Sequence, residues 1–129
     1  MKRVLSVSLI IGFLLSFCIL EEVLVKKTLT TMYDKAILLY NEANQTDNVN
    51  TKKIKDLSKE LDDYWQKHEN LLCFFVNHKD MHEMGNELNR VNSYAEDNIK
   101  EEFIASLNLV IYYSETFHHI MGVSFQNII

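Results

Sequence analysis

The first twenty residues constrain this chain most, because they form an almost unbroken apolar segment behind two basic residues. Lys2 and Arg3 precede the run from Val4 to Leu20, and Glu21 and Glu22 end it. The run has 17 residues, or about 26 Å as a helix at roughly 1.5 Å per residue. A bilayer core is about 30 Å thick, so this run lies at the short end of the range for a membrane-spanning helix.

Three interpretations of this segment compete. A cleaved signal peptide requires a small-x-small site, and the only candidate, Ser16-Phe17-Cys18, lies deep inside the apolar run. A lipoprotein signal requires a small residue before its cysteine, where this chain has phenylalanine. An uncleaved anchor requires neither feature, so we favour it and assign residues 1–27 to a transmembrane anchor and juxtamembrane segment.

The charges on either side of the run predict its orientation in the cell membrane. Lys2, Arg3 and the amino terminus precede the run, whereas Glu21 and Glu22 follow it directly. Basic residues favour the cytoplasmic side, and the Lys26-Lys27 pair weakens this bias without removing it. We therefore expect a single-pass protein with a cytoplasmic N-terminus and an extracytoplasmic C-terminal domain.

The rest of the chain is predicted to be nearly all helix, because the chain has no proline and only three glycines. Apolar residues at spacings of three and four indicate four amphipathic helices. Short connections favour antiparallel neighbours. The predicted fold is all-α, with an N-terminal transmembrane helix continuing into an up-down antiparallel bundle of about four helices over residues 28–129. The helices are expected to run from the anchor to about Gln45, from Thr51 to about Asn77, over about 16 residues from Asp80, and from Asn98 to about Phe125.

Polar residues at the breaks predict how these helices begin. The Asn50-Thr51 pair is expected to cap the second helix. Asp80 with Glu83 has the spacing of a capping box, in which a polar side chain and an acid three residues later bond to each other's backbone. Asn98, also followed by an acid three residues later, has the same form. Asp80 and Asn98 are therefore predicted to start the third and fourth helices.

Helix lengths predict which residues lie near the bilayer. The second helix should return to the membrane, and the fourth is long enough to do the same. The segments 71–76 and 117–129 are therefore expected at the membrane-proximal end, together with His78 and His82. The apolar C-terminal segment is the candidate partner-binding surface, with docking on its own bundle as the alternative. The candidate partner-binding residues are Phe117, Met121, Phe125, Ile128 and Ile129.

The histidines carry two interpretations. His78 and His82 are four residues apart, so on one helix face they could bind a transition metal with Glu83 or His118 as a third ligand. The alternative is that His78 caps the second helix while His82 lies in the first turn of the third. We favour the structural alternative, because position 86 is asparagine where a zincin motif needs histidine. No cofactor is expected.

The acidic and aromatic clusters are interpreted as structural. Paired carboxylates such as Asp62-Asp63 can do acid-base work, but these lie on predicted polar faces. Trp65 could line a ligand pocket between helices with Tyr64, Tyr94, Tyr112 and Tyr113, although their positions on the apolar stripes favour core packing. From Thr28 onward the chain has nine basic and sixteen acidic residues, a formal charge of −7. This charge argues against nucleic acid binding, and no nucleophile-base pattern indicates an enzyme.

Several short motifs resemble a known family. They are Trp65, the run Phe74 to His78, the run Asp80 to Met84, and the closing Phe125 to Ile128. With the Lys-Arg apolar start, they resemble the bacterial family labelled domain of unknown function 4363, whose members are small single-pass proteins of anaerobic Gram-positive bacteria. The resemblance implies a membrane-anchored helical protein and implies no activity. The asparagine-rich segment after the first helix departs from the family pattern.

Two functions remain open from the sequence. The first is an interaction or accessory subunit that binds a membrane-protein partner, or a second copy of itself, on the extracytoplasmic side. The alternative is an extracytoplasmic module that senses a ligand or metal through an inter-helix pocket or the histidines. No cytoplasmic signalling domain follows the anchor, so a sensor would need a partner to pass on its signal.

Overall fold

Four helices account for nearly all of the structure. The computed structural model describes residues 1–75 and 77–128, with side chains described for 1–74 and 77–116. The helices are α1 (Lys2–Asn44), α2 (Lys52–Phe75), α3 (His78–Glu96) and α4 (Lys100–Ile128). These described residues contain no strand. The predicted all-α class with about four helices is confirmed.

The four helices form a closed up-down bundle. Each helix contacts the next one along the chain, and α4 closes the ring by packing against α1. Ion pairs show the antiparallel register of α1 and α2: Lys35 Nζ lies 2.9 Å from Glu60 Oε1, and Lys53 Nζ lies 3.1 Å from Glu42 Oε2. One step along α1 toward its N-terminus therefore matches one step along α2 toward its C-terminus. The predicted up-down topology is confirmed.

The core is built from the apolar stripes that the sequence indicated. Trp65 and Phe103 are the largest fully buried side chains, and aliphatic residues at spacings of three and four surround them. Removing this apolar surface from water drives the packing of the bundle. The remaining large side chains of the core are Leu29, Met32, Leu39, Ile54, Leu61, Leu72, Met81, Met84, Leu88 and Leu107.

Helix α1 changes its surroundings part-way along its length. Every side chain from Met1 to Leu20 is exposed, and the first buried side chain is Val25. This is the one helix within the described residues that is long and apolar enough to cross a membrane, and none of its apolar window is buried. From Glu21 to Asn44 it has 24 residues, the same length as α2. The bundle is therefore built on the second half of α1, and none of the side chains from Met1 to Leu20 is buried.

The helix starts differ in part from the predicted ones. Thr51 does begin α2, because its Oγ1 accepts a hydrogen bond from Ile54 N at 3.3 Å. The predicted cap of α3 was wrong: Asn77 is the cap, with its side chain accepting from Lys79 N at 3.0 Å, and Asp80 lies inside the first turn. There the acid still complements the helix dipole.

Asn98 links two loops by hydrogen bonds and does not cap α4, so the prediction that it starts this helix was also wrong. It adopts a left-handed backbone with φ of 55°, a conformation that asparagine tolerates better than most residues. Its Oδ1 accepts from Val49 N at 2.8 Å, and its Nδ2 donates to Asn48 Oδ1 at 3.1 Å. Lys100 Nζ donates to Thr46 O at 2.7 Å beside this pair. The asparagine-rich loop after α1 is thereby tied to the turn before α4.

Replacing Trp65 by alanine should cost about 3 to 5 kcal/mol of unfolding free energy, because the indole is 2% exposed and its removal leaves a cavity. Tyr112, which is 59% exposed, is the matched control. Tyr112→Ala should change stability by less than about 0.5 kcal/mol. Chemical denaturation of the full-length protein in detergent micelles, followed by circular dichroism, measures both. Equal losses would contradict the core position of Trp65.

Asn98→Ala should cost about 1 to 2 kcal/mol, because alanine loses the bond to Val49 and is strained in the left-handed region. Asn98→Asp keeps an oxygen for Val49 N and should lose less. Denaturation midpoints of the two variants provide the measurement. An equal loss in the two variants would show that the Nδ2 contact with Asn48, which both variants lack, matters more than the bond to Val49.

Candidate functional site

The register of α1 and α2 shows which part of the bundle lies beside the end of the apolar run. Fourteen residues separate Lys35 from Glu21, and fourteen separate Glu60 from Phe74. Since Lys35 and Glu60 are paired, Phe74 lies at about the same height as Glu21, directly beyond the apolar run. The C-terminal end of α2 therefore lies beside the point where the apolar run of α1 ends.

The end of α2 exposes an aromatic side chain at this height. Leu72 is buried and Leu71 and Cys73 are half-buried, whereas Phe74 is 83% exposed. Burial and the nearby Glu69 raise the pKa of the Cys73 thiol, which makes it a poor nucleophile. We call residues 71–74 the α2 tip. Its exposed surface is the apolar side chain of Phe74.

The predicted partner-binding residues lie at the end of α4. Phe117, Met121, Phe125 and Ile128 fall within the bounds of that helix, but their side chains lie outside the described residues. Ile129 lies outside them altogether. His118, the distant candidate metal ligand, is in the same segment. The partner-binding assignment of these residues therefore stays a prediction.

The candidate metal residues of α3 separate onto different sides. His78 is the first residue of α3, and both it and His82 are exposed. Glu83 instead points toward α4, where it accepts a hydrogen bond from Tyr113 Oη at 3.3 Å. Within the described side chains no group of three or more His, Cys, Asp or Glu could hold a metal ion. The structure does not bring His82 and Glu83 to one site.

Carboxylates also line the contact between α3 and α4. Glu87 is 7% exposed; its Oε1 pairs with Arg90, and its Oε2 has no hydrogen-bond partner among the described residues. Burial, followed by the charge of Glu83, raises the pKa of Tyr113. The tyrosine therefore stays neutral and can donate to Glu83.

An open polar groove lies on the opposite side of α3, against α2. It encloses about 370 Å³, and its floor includes the edge of Trp65. Trp65 Nε1 would lie 3.3 Å from a Cβ placed on Gly85, so the absence of a side chain there makes room for the indole. A mid-helix glycine costs about 0.5 to 1 kcal/mol relative to alanine. The groove is lined by Asp62, Trp65, Gln66, Glu69, Asn70, His82, Gly85, Asn86 and Asn89.

The ionised form of Asp62 is disfavoured in this groove. Burial, then the charge of Asp63 and, more weakly, that of Glu69, raise its pKa above the ordinary 3.8. A hydrogen bond from Gln66 Nε2 to Asp62 Oδ2, 3.0 Å long, acts in the opposite direction. Perturbed carboxylates in a cleft are candidates for functional positions.

A family model described as Domain of unknown function (DUF4363) matches residues 23–128. The chain belongs to this family. The match begins two residues before Val25, the first buried side chain, so the DUF4363 region coincides with the bundle and leaves out the apolar run. No curated protein and no solved structure matches the chain.

The α2–α3 groove was missed by sequence reasoning. Its four carboxamides, Gln66, Asn70, Asn86 and Asn89, lie on faces that resemble ordinary solvated surfaces. The available signal was Gly85, because a glycine inside a strongly amphipathic helix needs a packing or functional reason. Two polar faces of this DUF4363 chain meet at that glycine.

Asp62→Asn should raise the melting temperature at pH 7. The folded chain raises the pKa of Asp62, so stability contributed by this group is present below its unfolded pKa and lost as pH rises through the folded pKa. Asparagine cannot ionise and keeps an oxygen for Gln66. The gain should disappear below about pH 3.8.

Thermal unfolding by circular dichroism between pH 3 and 7 tests this. Asp56→Asn on the same helix is the control, because Asp56 is exposed. The same gain in both variants would assign the effect to the overall acidity of the domain instead of to the groove.

Proposed function

We propose that this protein is a membrane-anchored interaction or accessory subunit that binds a membrane-protein partner on the extracytoplasmic side. The observation that carries the proposal is the continuity of α1, which runs from Lys2 to Asn44 without a break. The exposed apolar half and the bundle-forming half are turns of one helix. A span by α1 would therefore hold the bundle directly against the bilayer.

The junction in α1 supports a stiff connection. The chain has no proline, the residue that most often kinks a helix, and backbone bonding continues through the junction. Thr28 Oγ1 donates to Leu24 O at 2.8 Å beside the first buried turn. The bundle would therefore present a fixed face to a neighbour in the membrane, because no flexible linker would connect it to the anchor.

Two features supply apolar contact area at the proposed bilayer level. Phe74 of the α2 tip is 83% exposed at the height of Glu21. Helix α4 extends 28 residues beyond Lys100, whereas Thr46, which Lys100 contacts, is only 25 residues from Glu21. The length of α4 therefore reaches the same height, and its last turns carry the predicted partner-binding residues.

The proposed orientation follows from charge, as does the choice of a protein partner. Basic Lys2 and Arg3 favour a cytoplasmic N-terminus, which places the DUF4363 bundle outside. Its formal charge of −7 from Thr28 onward disfavours lying flat on anionic lipid. The proposed role needs no catalysis. The alternative of a ligand-sensing module draws on a different surface, the α2–α3 groove, which can coexist with partner binding.

Site-specific photo-crosslinking in native membranes tests this proposal. A photoreactive phenylalanine replaces Phe74 in the full-length protein, and Leu38 is the matched control position. Leu38 is apolar and 56% exposed, but it lies 17 residues beyond Glu21 on α1, about 26 Å farther along the helix. We expect Phe74 to crosslink to one reproducible integral membrane protein and Leu38 to give no such adduct.

Polar substitutions in the proposed contact surface should weaken binding of the partner. Phe74→Ser and the triple change of Phe117, Phe125 and Ile128 to serine should each lower recovery of that partner by about tenfold, with helix content unchanged. This corresponds to about 1.4 kcal/mol of binding free energy, which is within the range for burying one aromatic side chain. Leu38→Ser should leave recovery intact. Absence of any crosslinked membrane protein, or equal labelling from both positions, would contradict the proposal.

A further inference from the structure

The α2–α3 groove has a charge that selects among ligands. Its lining includes two carboxylates, Asp62 and Glu69, and one imidazole, His82, but no lysine or arginine. With neutral histidine its formal charge is −2. A second surface groove beside α2, by contrast, has Lys35, Lys59 and Lys67 among its lining residues. The α2–α3 groove therefore repels anions and favours a cation or a neutral polar molecule.

The floor of the groove includes the indole donor of Trp65. Trp65 is 2% exposed, and its Nε1–H has no acceptor among the side chains and backbone that the structure describes. Gly85 packs close to this edge, and a Cβ there would lie 3.3 Å from Nε1. Among the described side chains, the buried polar atoms without a partner are Ser58 Oγ and Glu87 Oε2, so the indole N–H keeps contact with solvent. The donor is therefore available to an oxygen atom that enters the groove.

The rest of the lining can bind hydroxyl groups. Gln66 and Asn70 on α2 face Asn86 and Asn89 on α3 across the groove. Each carboxamide offers both donors and an acceptor, which suits hydroxyl groups because a hydroxyl also donates and accepts. The Asp62 carboxylate already accepts from Gln66, and its remaining lone pairs are free to accept from a ligand ammonium.

We propose that the α2–α3 groove binds a small hydroxylated amine, such as an amino sugar. Its ammonium group lies between Asp62 and Glu69, where charge-assisted hydrogen bonds are strongest. Its hydroxyl groups bond to the carboxamides of Gln66, Asn86 and Asn89, and one hydroxyl oxygen accepts from Trp65 Nε1–H. The raised pKa of Asp62 agrees with this arrangement, since an ammonium ion would relieve the repulsion among the neighbouring carboxylates.

The single tryptophan of the chain makes this proposal directly testable. In a ¹H–¹⁵N correlation spectrum of the full-length protein in detergent micelles, its indole N–H gives one resonance from the groove floor. Glucosamine, titrated at pH 6.5, is the probe. N-acetylglucosamine, which has a similar ring and hydroxyls but no ammonium, is the matched ligand control. We expect a saturable shift of the indole resonance with glucosamine and binding at least tenfold weaker with N-acetylglucosamine.

Two double variants test which carboxylates bind the ammonium group of glucosamine. Asp62→Asn with Glu69→Gln removes both groove carboxylates and should weaken glucosamine binding by about tenfold or more. Asp56→Asn with Glu60→Gln removes two exposed carboxylates of α2 that do not line the groove and should leave binding within about twofold. Circular dichroism confirms that each variant is folded.

Three results would overturn the proposal. The first is the lack of a saturable shift of the indole resonance with glucosamine. The second is equal affinity for both sugars, which would remove the role of the ammonium group. The third is an equal loss of binding in both double variants, which would assign the effect to the total charge of α2. Because Phe74 does not line this groove, a failed crosslinking experiment would leave this test unaffected.

Discussion

The structure depends on one helix that has two kinds of surroundings. In α1 the apolar residues up to Leu20 are exposed on every side, and from Val25 onward only one stripe of the helix is apolar and buried. An apolar surface that no protein covers is unstable in water but stable in lipid. The change from uniform to one-sided apolarity therefore sets where α1 leaves the proposed membrane. The other three helices are arranged around the part of α1 that follows this change.

The fold was predictable because its signals are local and repeated. Apolar spacing in α2, α3 and α4, together with the absence of proline, determined both the number of helices and their approximate bounds. The antiparallel order followed from short connections. The helix starts were predicted less well, because a capping box is a pattern of only four residues. Asn98 has that pattern, but its side chain bonds to Val49, 49 residues earlier, which no local pattern can indicate.

The candidate sites show a similar division between local and tertiary information. The sequence predicted that the end of α2 lies near the membrane, but the outward position of Phe74 depends on how α2 is rotated in the bundle. Asp62 and His82 were considered separately, as part of a solvated face and as a metal ligand or cap. Packing α2 against α3 places both in one groove around Trp65. A groove of this kind is a property of two helix faces together, so neither face indicates it alone.

The continuity of α1 also has a mechanical consequence. From Glu21 to Asn44 the helix extends 24 residues, or about 36 Å. The hydrogen bond between Asn98 and Val49 lies near its far end. A spanning helix is tilted by about 20° on average, and tilting a stiff rod of this length by that angle moves its far end sideways by about 12 Å. A small reorientation of the anchor within the membrane would thus become a large displacement of the loops farthest from it.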